Sequence, residues 1–91
     1  MVLSQLANGQ QATVCGVVAA SPEVGSPTLR RLGELGFIPG EQVRVLRRGP
    51  GGREPLAVQV GETLFALRFL EAHCIQVQLD TPRDQGQGNL Q

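Results

Sequence analysis

The sequence predicts a mainly β domain: a small five-stranded antiparallel barrel, closed on itself, with one short inserted helix. Three observations carry that prediction. Five runs of alternating or β-rich residues are separated by reversals that contain glycine or, before the last run, by one helical turn. A single segment, residues 26–36, has helical rather than alternating spacing. Finally, 91 residues make one domain, and strands this short need closure to hide their edges.

The elements follow in order. Leu3 and Leu6 precede Gly9 and predict a short helical turn or lead-in packed on the barrel. Residues 12–18 form the first strand, and 19–26 a loop holding Pro22 and Gly25. Ser26 suits the N-cap of the helix, and Pro27 its first position, where no N–H is needed. Leu29, Leu32 and Leu35 recur at helical spacing, while Arg30 and Glu34 share a solvated face. Gly36 fits the left-handed residue that ends a helix, which places Phe37 back on Leu32. Pro39-Gly40 suits the centre of a type II turn. Residues 42–48 are the second strand, with Val43 and Val45 on one face, and Gly49-Pro50-Gly51-Gly52 is a hairpin tip. Leu56, Val58 and Val60 alternate with Ala57 and Gln59 in the third strand. Gly61-Glu62 makes a tight reversal into the fourth, residues 63–67. One helical turn, 68–72, precedes a final strand in which Ile75, Val77 and Leu79 alternate with Gln76, Gln78 and Asp80. The folded domain is thus residues 1–80. Residues 81–91 are a polar, glycine-rich tail expected to be disordered.

An SH3-like barrel satisfies this pattern. An OB-fold is the alternative, although it needs more residues and longer strands.

Composition argues against several functions. The acidic and basic residues number 8 each, the basic ones are all arginine, and the net charge is zero. A domain held to nucleic acid by its phosphates is basic. Tyr and Trp are absent, which removes the usual platforms for stacking bases. The longest apolar stretch, residues 14–20, is too short to span a bilayer. With no basic-then-apolar leader at the N-terminus, the two cysteines are expected as buried, reduced thiols of a cytoplasmic protein. A Cys15–Cys74 disulfide is geometrically open, because first and last strands of such barrels neighbour each other.

The chain resembles the FeoA family, the small cytoplasmic component of bacterial ferrous iron uptake. The matching residues are Leu3, Leu6 and Gly9, then Arg31-Leu32, Leu35-Gly36, Pro39-Gly40, Val43 and Val45. The match closes with Ala66-Leu67-Arg68, Glu71-Ala72, Ile75 and Val77, and so spans residues 3–79. The resemblance implies an SH3-like barrel that acts with the membrane ferrous-iron permease and its GTPase domain. Similar barrels end iron-dependent repressors, but this chain has no helix-turn-helix unit.

The candidate sites are few. The exposed side of the helix (Arg30, Arg31 and Glu34), with the Phe37-Ile38 corner, is the expected partner-binding surface, since arginine beside an apolar corner is typical of interface hot spots. Leu35, Phe37 and Ile38 are expected to include core residues, with an apolar contact patch at the helix end as the alternative. His73 and Cys74, with Glu71 nearby, are of types that hold zinc or iron. Adjacent residues entering a strand diverge, so a surface metal contact through His73 between two copies, in a homodimer, is the stronger form of that reading. No other cofactor is expected. Arg44, Arg47, Arg48 and Arg53 surround one hairpin; they suit a solvated strand face first, then an acidic protein surface, because arginine suits carboxylates, and they could also meet RNA or a phosphate. No acid–base pair or nucleophile elbow is evident, so no catalysis is expected. The expected role is a non-enzymatic interaction module supporting or regulating ferrous iron uptake. The alternatives are a small-barrel RNA-binding protein and a metal-sensing module that acts by dimerisation.

Overall fold

The computed structural model describes residues 1–52 and 54–80. A single 3₁₀ turn, Leu3–Gln5, leads into β1 (Gln11–Val17), α1 (Ser26–Leu35) and β2 (Gln42–Arg48). A Pro50–Gly52 turn then joins β2 to β3 (Leu56–Val60), followed by β4 (Thr63–Leu67), α2 (Phe69–His73) and β5 (Ile75–Leu79). The strands form one five-stranded sheet in the order β4-β3-β2-β1-β5, and each neighbouring pair is antiparallel. This is the expected mainly β fold. The tail expected to be disordered lies outside the described residues.

Among the described residues the ladder does not run on from β4 to β5, so the closure expected of the strands is not made by hydrogen bonds between these two. β4 and β5 are its two edges, and α2 carries the chain from one to the other. The N-terminus instead covers β5. Val2 bridges to Gln76, and the Val77 N–H donates to the Met1 carbonyl at 2.8 Å.

Strand alternation builds the core. Ala12 and Val14, Val43 and Val45, Leu56, Val58 and Val60, and Ile75 and Val77 are all buried in one cluster. Leu3, Leu6, Leu32, Phe37, Leu67, Ala72 and Cys74 complete it. Two bulges break the alternation. The register shifts between Val14 and Gly16 against β5, and between Val45 and Arg47 against β3. Cys15 and Leu46 are the extra residues, and both are exposed.

The helix end behaves as its sequence requires. Gly36 sits at φ 117°, ψ 0°. The Phe37 N–H donates to Leu32 O at 3.1 Å and the Gly36 N–H to Gly33 O at 3.0 Å, which is a Schellman motif. Gly40 has φ 93°, and the Glu41 N–H closes the turn on Ile38 O at 3.1 Å. That turn is stitched to β1 by Gly40 N–H to Val14 O (2.9 Å) and Val14 N–H to Glu41 O (2.8 Å). The helix start differs from expectation. Gly25 is the N-cap, in extended conformation, and no side chain caps α1. Ser26 already lies inside the first turn, together with Pro27.

Candidate functional site

Helical periodicity divides α1 cleanly. Leu32 is buried, Leu29 and Leu35 are half-buried, and Arg30, Arg31 and Glu34 are exposed. Ile38, just past the helix, is 47% exposed. Phe37 is corrected from the expected surface: it is 1% exposed, because the Schellman geometry turns it inward, 5.9 Å from the Phe65 ring. The corner therefore presents Ile38 alone.

The outer face of α1 continues onto α2 through one ion pair. Arg31 Nη1 lies 3.1 Å from Glu71 Oε2, and the other Glu71 oxygen accepts the Arg68 N–H at 2.8 Å. Glu54 Oε1 accepts the next N–H, that of Phe69, at 2.6 Å. Two carboxylates thus hold the start of α2, where free N–H groups favour negative charge. The Arg31–Glu71 contact spans forty positions, so no local spacing could announce it. A cavity of about 180 Å³ lies beside this pair, lined by Val24, Thr28, Arg68, Leu70 and Cys74, among others. Leu70 is 43% exposed. Sequence reading missed Arg68 and Leu70 as surface residues, since they fall in a single helical turn with no repeat to phase them.

His73, Cys74 and Glu71 do not converge. His73 is exposed, its Nδ1 lies 2.6 Å from Ser4 Oγ, and its ring lies 5.3 Å from that of Phe69. Cys74 is buried and its thiol donates to Leu70 O at 3.4 Å, while Glu71 is engaged with Arg31 and the Arg68 N–H. Both residues close α2 rather than open β5. Among the described residues no group of three or more His, Cys, Asp or Glu could hold a metal ion, so these side chains do not fit a metal centre within one chain. Both cysteines are free, but Cys15 is exposed rather than buried, as the residue of its bulge.

The hairpin arginines are not equivalent. Arg44 donates to Gln11 Oε1 at 2.6 Å. Arg48 reaches under the N-terminus and donates to the carbonyls of Ser4 (2.8 Å) and Leu6. Arg47 is exposed, and Arg53 lies outside the described residues. Arg48 is therefore structural: it holds the turn that places Leu3 and Leu6 in the core. Arg48→Met keeps the aliphatic stem but leaves two carbonyls without their charged donor. It should lower stability by about 1–3 kcal/mol. Arg47→Met should change it by no more than about 0.5 kcal/mol. Equal urea midpoints for the two variants would remove the clamp.

No helix among the described residues is long and apolar enough to cross a membrane.

Comparison with known proteins fits this geometry. The FeoA domain family matches residues 1–79. Stenotrophomonas maltophilia FeoA, complexed with zinc and described as an SH3-domain protein, is 46% identical. The match covers 86% of this chain and 89% of that one, with a TM-score of 0.75. Chlorobium tepidum FeoA is 35% identical over 97% of this chain and 81% of its own, with a TM-score of 0.73. A manganese-dependent transcriptional repressor shares the fold at 23% identity and a TM-score of 0.69, over 87% of this chain and 41% of its own. No curated protein sequence matches the chain.

Proposed function

The chain belongs to the FeoA family of ferrous iron transport, and we propose that it is a non-enzymatic interaction module that supports or regulates uptake through the membrane permease and its GTPase domain. The partner surface in this reading is the outer face of α1, Arg30, Arg31 and Glu34, with Ile38 beside it. One observation carries the reading. α1 gives the core Leu32, with Leu29 and Leu35 packed against it, and leaves Arg30 and Glu34 exposed, with Arg31 exposed beside Glu71, where a partner can reach them. Arginine is well suited to that use, since it pairs with carboxylates in a fixed geometry. The S. maltophilia relative is put forward as an activating factor for ferrous iron transport, and the same class of role is proposed for this chain, in the cytoplasm.

The test is recovery of the permease on the tagged chain from detergent-solubilised membranes. The expected result is recovery that weakens as salt rises, because the proposed contact is charged. A tagged chain that restores ferrous iron uptake to a deletion strain, yet yields no permease even after cross-linking, would overturn direct contact.

A second reading concerns zinc, which the S. maltophilia protein binds. His73 is exposed and offers Nε2, its Nδ1 being engaged with Ser4. A single nitrogen makes a stable site only with ligands from another copy.

A further inference from the structure

The two edges of the sheet are treated differently. β5 is covered by Met1 and Val2, while β4 is open among the described residues. Proteins normally blunt an open edge with charge, proline or a bulge. β4 has none of these. Its sequence, Thr63-Leu64-Phe65-Ala66-Leu67, is uncharged, and its register with β3 runs unbroken from Leu56–Leu67 to Val60–Thr63. β1 and β2, by contrast, each carry a bulge. Leu64 on β4 is 64% exposed, the highest value among the large hydrophobic residues described.

The ladder fixes which groups of β4 are unpaired. The Gly61 N–H donates to Gln42 O, which makes Gly61 and, by alternation, Gln59 the residues that bond toward β2. Val60, Val58 and Leu56 therefore bond toward β4, on Thr63, Phe65 and Leu67. Leu64 and Ala66 are left with their N–H and C=O directed to the open edge.

We propose that two copies of this chain pair through β4, antiparallel about a two-fold axis at Phe65, into one continuous sheet. In that register Leu64 faces the partner's Ala66 and Ala66 the partner's Leu64. Each such pair exchanges both of its backbone hydrogen bonds and covers Leu64. Charge selects this occupant. Glu62 and Arg68 flank the strand at equal distance from Phe65, so Glu62 meets the partner's Arg68 and Arg68 the partner's Glu62. Both side chains are exposed, and neither makes an ion pair among the described residues. The flanks are thus complementary to themselves, as an isologous contact requires. Head-to-tail pairing of β4 on a partner's β5 would propagate without closing, and Met1 and Val2 obstruct it. The proposal is independent of the α1 surface.

Sedimentation of the full chain, from about 10 µM to about 1 mM, reads the association directly. The expected result is a reversible dimer indifferent to a metal chelator. Ala66→Pro deletes an N–H that only the pairing uses, so it should weaken the dimer at least about tenfold and leave the melting temperature close to wild type. Glu62→Arg and Arg68→Glu should each weaken it by roughly two- to fivefold, and the two together should restore it. A chain that stays monomeric throughout, or a dimer that chelator dissolves, overturns the proposal. So does a dimer that neither charge swap disturbs; these exposed swaps keep the test decisive even if the proline variant fails to fold.

Discussion

Replacing Gly36 with valine should lower the stability of this domain by about 1–3 kcal/mol. The cost lies in the backbone. Gly36 holds φ 117°, ψ 0°, which lies beyond the left-handed well that other residues visit. A β carbon there would stand 3.7 and 3.9 Å from the methyls of Val60, an ordinary contact, so crowding is not the cause. Valine must either accept the strain or unwind the end of α1. Unwinding breaks the bonds to Leu32 O and Gly33 O and withdraws Phe37 from the core. Alanine lacks the β-branch and should fall between glycine and valine. For a domain of this size each kcal/mol shifts the melting temperature by about 4–8 °C. An unchanged urea midpoint for Gly36→Val would show that the cap is dispensable.

That a glycine so placed could be read in advance shows where the sequence is legible. Arg31 to Val45 carries its own punctuation: leucines at helical spacing, a glycine stop, and a Pro-Gly turn. Each is a local backbone requirement, and local requirements survive folding. The alternation of Leu56, Val58 and Val60 is equally local, and it placed those residues in the core. What could not be read depended on distant partners. Ser26 looked like a cap, but the chain enters α1 one residue earlier, at Gly25. Cys15 looked buried, because a bulge shifts the phase of a strand without any mark in its composition. Arg48 looked like one of a surface cluster, but its role depends on two carbonyls more than forty positions away. The candidate surface was legible in the same measure. Arg30, Arg31 and Glu34 lie where periodicity puts them, whereas the Arg31 tie to Glu71 and the cleft beside Leu70 arise only when α1 and α2 meet.

Reversing charge on α1 should separate the helix as a cap from the helix as a partner surface. The double change Arg30→Glu and Arg31→Glu should leave the fold intact. Arg30 is exposed, and the Arg31 side chain is 60% exposed, so its ion pair with Glu71 is screened and contributes no more than about 1 kcal/mol. Recovery of the permease should fall about tenfold or more at low salt, the difference should narrow as salt rises, and ferrous iron uptake in cells should slow. One complication arises from the structure. Arg31→Glu sets a second carboxylate beside Glu71 and could loosen α1 from α2 without touching any partner. Glu71→Gln isolates that effect: the amide oxygen still accepts the Arg68 N–H, while the ion pair is lost. If Glu71→Gln alone reproduces the uptake defect, the tether between the helices matters rather than the arginines as a surface. If the double variant folds, accumulates normally and supports full uptake, α1 only caps the barrel. The partner surface must then be sought on the hairpin of residues 44–53, where Arg44 and Arg47 are exposed, or at Arg68 beside the Leu70 cleft.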